Sequence, residues 1–374
     1  MRVLVVNAGS SSVKLSLLDA DDTVIGHQRL AATAGVAGSE ELARALERLD
    51  GADAVGHRVV HGGPDFTAPV RLDEAVVRRL RELTDLAPLH QPKSLAGIDA
   101  VGAALPGTPA VACFDTAFHA GLPAAAAAYA LPEEWRSRYR IRRYGFHGLA
   151  HAYAARRAAE LSGGAAGRLV VAHLGAGASL AAVRDGASVD TTMGFTPLEG
   201  LVMATRSGSV DPGLVLWLVQ HAGIAPARIA QTLEHESGLL GLAGTADMRE
   251  VLAAADRGEE PARLGLEVYL HRLRAGIAAM AASLGGLDAL VFTGGVGEAS
   301  AAVRAGAAEG LRFLGVAVDA AANGAADTGE ADAEIGAAGA RVRTFAIAAR
   351  EDLEIAREVR EVLGAVRPRA AAGG

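Results

Sequence analysis

MRVLVVNAGSSSVKLSLLDA, residues 1–20, reads as a strand, a tight polar turn and a second strand. Val3 to Val6 is an unbroken apolar run with β-branched residues, the pattern of a strand buried on both faces. Asn7-Ala8-Gly9-Ser10-Ser11-Ser12 follows, and Val13 to Leu18 resumes an apolar, strand-like pattern. Such a turn can set backbone N–H groups and serine hydroxyls against one anion, and Lys14 in the return strand can add a compact positive charge. Two readings stand at this point: a hairpin that holds phosphate, and an ordinary hairpin whose serines satisfy the turn.

The same pattern returns. RLVVAHLGAGASLAAVRDG at 168–186 lays over RVLVVNAGSSSVKLSLLDA at 2–20 without a gap, Gly175 falling on Gly9 and Asp185 on Asp19. A repeat at so long a spacing is a domain duplication and not a solenoid. Each half then offers one small-residue hairpin after a buried strand, and two such hairpins facing each other could grip neighbouring phosphates of one nucleotide. Chance recurrence of glycine hairpins is the competing explanation.

The totals narrow the function. The 374 residues are enough for two domains with cores, at 51% hydrophobic and 21% charged. A net charge of −7 argues against a nucleic-acid surface. The single cysteine, Cys113, excludes a disulfide framework and a cysteine-based zinc site and fits a reducing compartment. No apolar stretch is long enough to span a membrane, and residue 1 begins on a core strand, so no signal peptide and a cytoplasmic location are expected. Of 36 basic residues only Lys14 and Lys93 are lysines; a lysine kept in the opening hairpin suits a site that needs a compact ammonium, with chance as the alternative for so few instances.

Between the two hairpins, Asp53 to Val60 is a strand carrying Arg58 among apolar neighbours, a costly placement unless the guanidinium is paired or holds an anion. Asp73 to Leu86 is helical by spacing, residues 86–92 form a loop fixed by two prolines, and Ser94 to Ala104 is a short helix. Pro109 to Phe114 is a buried strand that delivers Asp115 at its end. Ligands of open α/β sheets sit beyond strand C-termini, so Asp115 is a candidate functional carboxylate; a helix N-cap is the other reading. An Arg-rich stretch at 136–143 leads to His147, placed just before a helix, either a packed residue or an anion contact. After the second hairpin, residues 190–213 are dense in Gly, Thr, Ser and Pro, a loop of functional length, with Arg206 as its positive charge. Residues 214–220, 228–236 and 250–284 read as helical. Ala289 to Phe292 is a buried strand running into Thr293-Gly294-Gly295-Val296-Gly297-Glu298, a turn where backbone can approach a flat ligand or phosphate. Residues 341–347 form a last strand, 351–363 a helix, and the tail from Arg367 reads as frayed.

The polar groups at strand ends and glycine turns are Asn7, Ser10, Ser12, Lys14, Arg58, Asp115, His147, Arg206 and Glu351. Cations and hydroxyls dominate, which suits phosphoryl transfer and not a glycosidase pair or a zinc hydrolase.

Eight stretches carry a resemblance. They are NAGSSSVK at 7–14, GHRVVHGG at 56–63, FDTAFH at 114–119, YGFHG at 144–148, MGFTPLEGL at 193–201, RSGSVDPG at 206–213, FTGGVGE at 292–298 and EDLEIARE at 351–358. In order and over nearly the whole chain, this is similar to the acetate kinase family of acetate, propionate and butyrate kinases. The resemblance implies an α/β fold, a duplicated actin-like ATPase (ribonuclease H-like) domain with a nucleotide cleft between the halves. The N-terminal domain would be 1–114 plus 351–374, its last helix returning to it, and the C-terminal domain 115–350. The implied reaction is reversible transfer of the ATP γ-phosphoryl group to a short carboxylate, with ATP/ADP as co-substrate, Mg²⁺ or in its place Mn²⁺, and a homodimer formed through the second domain.

By the same resemblance Asn7 and Glu351 would place the metal, and Ser10, Ser12 and Lys14 would meet ATP. Arg58 would bind the carboxylate, and Val60, Leu89, Phe146 and Pro197 would enclose its methyl end. His147 and Arg206 would stabilise the transferring group, and Asp115 is the acid/base candidate. The nucleotide would lie on His173, Leu174, Gly175, Ala176 and Gly177, on Asp247, Met248 and Arg249, and on Gly295, Val296, Gly297, Glu298 and Ala299. A carboxylate substrate titrates near about 4 to 5 and is already ionised at neutral pH. It needs no base, so Asp115 is expected to orient Mg²⁺, water or an arginine.

Three departures stand out. Ala176 and Ala299 take the place of family asparagines, and His90-Gln91-Pro92-Lys93-Ser94 replaces an HNPAN loop. Each lost hydrogen bond is worth about 0.5–1.5 kcal/mol net. They leave open a propionate or larger-acid preference, an altered phosphoryl donor such as pyrophosphate, or a catalytically weakened nucleotide-binding regulator.

Overall fold

The computed structural model describes residues 1–8, 12–31, 39–86, 91–326 and 332–364. Two compact units divide the chain, one of Met1–Ala120 with Arg350–Gly374, the other of Gly121–Ala349. Asp115, placed by the sequence reading at the start of the second domain, lies in the first unit. Its backbone N–H donates to Val59 O at 3.0 Å and its side chain pairs with Arg58, which ties it to the preceding strand.

The first unit is built on a six-stranded sheet. Its strands are β1 (Val3–Ala8), β2 (Ser12–Leu18), β3 (Val24–Ala31), β4 (Ala54–Val59), β5 (Val70–Arg71) and β6 (Ala110–Phe114), in the spatial order β3-β2-β1-β4-β6-β5. β1, β2 and β3 pair antiparallel, β4 and β6 extend the sheet in parallel with β1, and β5 closes the edge antiparallel to β6. Val3 to Val6 are at most 2% exposed, the burial on both faces that their unbroken apolar run predicts. The helix Glu351–Val362 rests on β4 so closely that a Cβ at Gly56 would fall 2.4 Å from Ile355 and 2.8 Å from Val359. Glycine is the residue this approach admits. Val55 and Val59, alternating with it along β4, face other cores, packed with Val101 and with Leu80, Leu95 and Ile98. The helix Gln91–Ala104 starts before the expected Ser94, with Pro92 in its first turn, where proline's missing N–H costs nothing.

The second unit repeats the plan. Its strands are β7 (Arg168–Leu174), β8 (Ala178–Arg184), β9 (Ala187–Thr191), β10 (Ala289–Thr293), β11 (Ala333–Glu334) and β12 (Arg343–Ala346), in the order β11-β12-β10-β7-β8-β9. β7, β8 and β9 pair antiparallel, β10 and β12 run parallel to β7, and β11 closes the edge antiparallel to β12. Strand for strand this is the arrangement of the first sheet, so the internal repeat of the sequence is a duplicated topology. The hairpins differ in register. Asn7 lies opposite Lys14, whereas its counterpart His173 lies opposite Ser179, one residue short of the overlay. The overlay is gapless in sequence, but pairing is set by the turn.

Candidate active site

β1, β4 and β6 are parallel neighbours, and their C-terminal ends deliver Asn7, Arg58 and Asp115 side by side. Arg58 is the centre. Its Nη2 donates to Asp115 Oδ2 at 2.6 Å and its Nε to Oδ1 at 3.2 Å, a two-pronged ion pair, while Nη1 donates to Asn7 Oδ1 at 3.1 Å. Asn7 Nδ2 donates in turn to Glu351 Oε2 at 2.7 Å, and that oxygen stands 3.8 Å from Arg58 Nε. Asp115 is 1% exposed. Burial pushes its carboxyl up, the Arg58 charge opposing; for Arg58, burial acts downward but Asp115 and Glu351 outweigh it and the net displacement is upward. The helix-cap reading of Asp115 fails: the short turn Ala117–His119 begins after Thr116, and the Asp115 side chain goes to Arg58. Next to this network His61 Nδ1 accepts from Gly63 N at 2.8 Å and Gly62 N donates to Thr116 Oγ1 at 3.0 Å, which fixes the His-Gly-Gly turn after β4.

The oxygens of Asn7, Asp115 and Glu351 make a hard donor set with two carboxylates against one guanidinium. No group of three or more His, Cys, Asp or Glu gathers around a common metal position among the described residues. A hard cation that completes its shell with water and substrate phosphates fits that set; one needing an all-protein cage does not.

Val60 is buried beside β4, Lys14 is exposed on β2 and Ser12 is partly exposed. Ser10 and Leu89, both expected site residues, lie outside the described residues.

In the second unit His147 heads the helix Gly148–Leu161 in left-handed backbone, φ 56°, without a side-chain cap bond. Its Nδ1 lies 2.9 Å from Ser179 Oγ and its ring centroid 4.6 Å from that of His173. A Cβ at Gly177 would fall 3.2 Å from His147 Cε1 and Nε2 and 3.5 Å from Arg206 Nη1, so the structure brings His147 and Arg206 to one glycine. Arg206 Nη1 donates to Pro197 O at 3.1 Å, and burial lowers its guanidinium against the opposing charge of Glu234. Phe146 is wholly buried. The long loop after β9 is pinned by Arg143, whose guanidinium donates to Thr192 O, Met193 O and Glu199; that arginine of the basic cluster is committed to the loop.

A cavity of about 710 Å³ opens at the end of β7 and β10. Of the expected nucleotide residues, Gly175, Ala176, Asp247, Met248, Arg249, Gly295, Val296 and Ala299 line it; His173, Leu174, Gly177, Gly297 and Glu298 do not. Leu174 and Gly297 are packed in the core, and Glu298 Oε1 accepts from Ala349 N at 2.9 Å. Gly294, at φ 79°, lets the turn after β10 pass so close to Leu174 that a Cβ would meet its carbonyl at 2.8 Å. Asp247 caps the helix Met248–Asp256, and the side-chain bond from Arg249 holds its carboxyl at about 2. Leu239, Leu252 and Tyr269 add apolar wall that no local motif announces, and the buried Tyr269 hydroxyl has no hydrogen-bond partner among the described residues. Its size, the glycine-rich backbone at 175 and 295 and the ionised Asp247 on its lining suit a nucleotide.

The sequence pattern of the Acetokinase family matches residues 39–357. This chain belongs to that family. A protein named acetate kinase from Gloeobacter violaceus is 46% identical, over 96% of this chain and 98% of its own. The crystal structure of acetate kinase from Porphyromonas gingivalis superposes with a TM-score of 0.87 at 34% identity, covering 97% of this chain and 99% of that one. A propionate kinase from Francisella tularensis gives a TM-score of 0.88 at 35% identity, with 96% and 99% coverage. The two repeated sheets are thus the duplicated actin-like fold shared with solved members of the acetokinase family.

Proposed function

We propose that this chain moves the γ-phosphoryl group of ATP onto acetate, giving acetyl phosphate and ADP, and that the reaction runs in both directions. Family membership supports the reaction, and the Arg58 network is the observation that carries the assignment of residues. A guanidinium held by Asp115 at the strand ends meets an incoming carboxylate with fixed donors. The ionised carboxylate oxygen attacks the γ-phosphorus in line, the bond to the β–γ bridging oxygen breaks, and ADP leaves with that electron pair. No general base is required, so the role of Asp115 is to orient Arg58. Val60, Leu89, Phe146 and Pro197 shelter the methyl end of the acid.

Asn7 and Glu351 would hold Mg²⁺, with Mn²⁺ as a substitute; the ion would neutralise charge on the nucleotide phosphates. Ser10, Ser12 and Lys14 bind phosphate oxygens. In the second unit Arg206 and His147 stabilise the transferring group, and the cavity around Ala176, Asp247 and Gly295 receives the nucleoside. No helix among the described residues is long and apolar enough to cross a membrane, and the reading places the enzyme in the cytoplasm as a homodimer. Propionate is the second reading for the acid, favoured by the likeness to the propionate kinase. Trapping acyl phosphate as hydroxamate with ATP and acetate, propionate or butyrate tests both: acetate should give the highest kcat/KM, and no product with any acid despite ATP binding would sink the enzyme reading.

A further inference from the structure

The hydroxyl of Ser179 sits between two imidazoles. It lies 2.9 Å from His147 Nδ1 and 2.7 Å from His151 Nε2, and the residue has no solvent exposure. A hydroxyl carries one proton and two lone pairs. It can donate to one of these nitrogens while accepting from the other, so the protonation of the two facing ring atoms is linked.

His147 is a residue that needs holding. Its left-handed backbone is a strained state that persists where surroundings fix it. One ring edge, Nδ1, meets Ser179; the other, Cε1 and Nε2, meets Gly177, against which Arg206 Nη1 also lies. The strand register supplies the hydroxyl: Ser179 is directly opposite His173 across β7 and β8, and opposed residues share a face. Both His147 and His151 lean on the His173 ring, at centroid distances of 4.6 and 6.2 Å.

We propose that Ser179, backed by His151, is the positioning residue that sets the tautomer of His147. His151 Nε2–H donates to Ser179 Oγ, Ser179 Oγ–H donates to His147 Nδ1, and the one ring proton of neutral His147 is thereby placed on Nε2. In a neutral imidazole one ring nitrogen carries the proton and the other accepts, and this chain of bonds directs which. Nε2–H is a donor to a phosphoryl oxygen, whereas a lone pair there would repel it. This inference rests on the reading of His147 as a contact to the transferring group and says what makes that contact a donor.

The test is ¹⁵N NMR of histidine-labelled full-length protein, with His147→Gln to assign its signals. In the wild-type protein at neutral pH, Nδ1 of His147 should resonate as an unprotonated nitrogen and Nε2 as a protonated one. In Ser179→Ala the two signals should move toward a tautomer mixture, and kcat should fall about 10–100-fold with both KM values little changed. Ser179→Thr, which keeps a hydroxyl, should restore the wild-type tautomer and most of kcat. A protonated Nδ1 in the wild-type protein overturns the proposal without any substitution. So does Ser179→Ala that loses rate while the tautomer stays fixed, since that is a packing effect. An unchanged kcat in His147→Gln would instead overturn the phosphoryl contact, and with it the part of Ser179 in the reaction, whatever the spectrum shows.

Discussion

Arg58 faces two carboxylates and an amide, so the cluster of Asn7, Arg58, Asp115 and Glu351 carries one negative charge in excess. That excess favours a cation near Glu351, and it makes Asp115 matter twice, as the clamp on Arg58 and as part of the field. Asp115→Asn keeps the shape but loses one ionic partner. Removing a partner from a lone buried pair costs about 3–5 kcal/mol; with Glu351 still 3.8 Å from Arg58, the loss in melting stability should be smaller. We expect a tenfold or larger fall in kcat, a raised KM for acetate and a raised Mg²⁺ requirement. An unchanged Mg²⁺ requirement together with a new alkaline pH optimum would show Asp115 to be a base. Each member of this cluster stands out in the sequence, Arg58 as a lone charge in an apolar strand and Asp115 as a carboxylate at a strand end. Their mutual contact does not, because it depends on β4 pairing with β6 and no local pattern names a strand's neighbour. The same holds for Ser179, which reads as one more small residue in HLGAGAS until the register puts it under His147.

The helix Glu351–Val362 presents Glu351 to this cluster and carries a second feature, the buried Glu358, one turn and more further along. Burial raises its carboxyl to about 7, Cys113 opposing by hydrogen bonding, and Oε2 has no hydrogen-bond partner among the described residues. The folded value lies above the ordinary 4.5, so between these two the folded state binds more protons than the unfolded chain. Stability therefore falls as pH rises through that window and levels off above it. Each pH unit within the window is worth about 1.4 kcal/mol, so the loss is a few kcal/mol. Glu358→Gln should remove that slope: denaturant unfolding of wild type and variant at pH 5 and pH 8 should show the variant gaining relative stability at the higher pH. An equal difference at both values would place the Glu358 carboxyl near its ordinary range. At this scale the sequence shows the buried elements best. The apolar runs that become β1, β4, β6, β7 and β10 announce themselves, as do the helices at 74–82 and 351–362. β3 does not, since only Leu30 of its eight residues is buried and no apolar run marks it. Nor does the one-residue shift between the hairpins, which a gapless overlay hides.

For the whole chain, the duplication is legible because strand burial constrains both halves alike: residues 2–20 and 168–186 keep their apolar positions while their turns diverge. The edge strands β5 and β11, two residues each, escape sequence reading because pairing at a sheet edge needs little apolar signal. The helix Pro212–Gln220 in the second unit has no buried residue, although its sequence, PGLVLWLVQ, is mostly apolar. Leu214, Leu216 and Trp217 are 47%, 58% and 53% exposed, and Val210, just before the helix, is exposed as well. Exposed apolar clusters of this kind mark interaction surfaces, and the proposed homodimer supplies an occupant of matching character, a second copy of the same face. An aromatic residue at the centre of such an interface commonly contributes about 2 kcal/mol or more, about 30-fold in dimer affinity. Light scattering should therefore give wild-type protein twice the chain mass of 38.0 kDa, and Leu214→Ser with Trp217→Ser should shift it toward a single chain at low micromolar concentration while far-UV circular dichroism stays the same. A wild-type protein that runs as one chain, or a double variant that stays dimeric, would move the interface away from this helix.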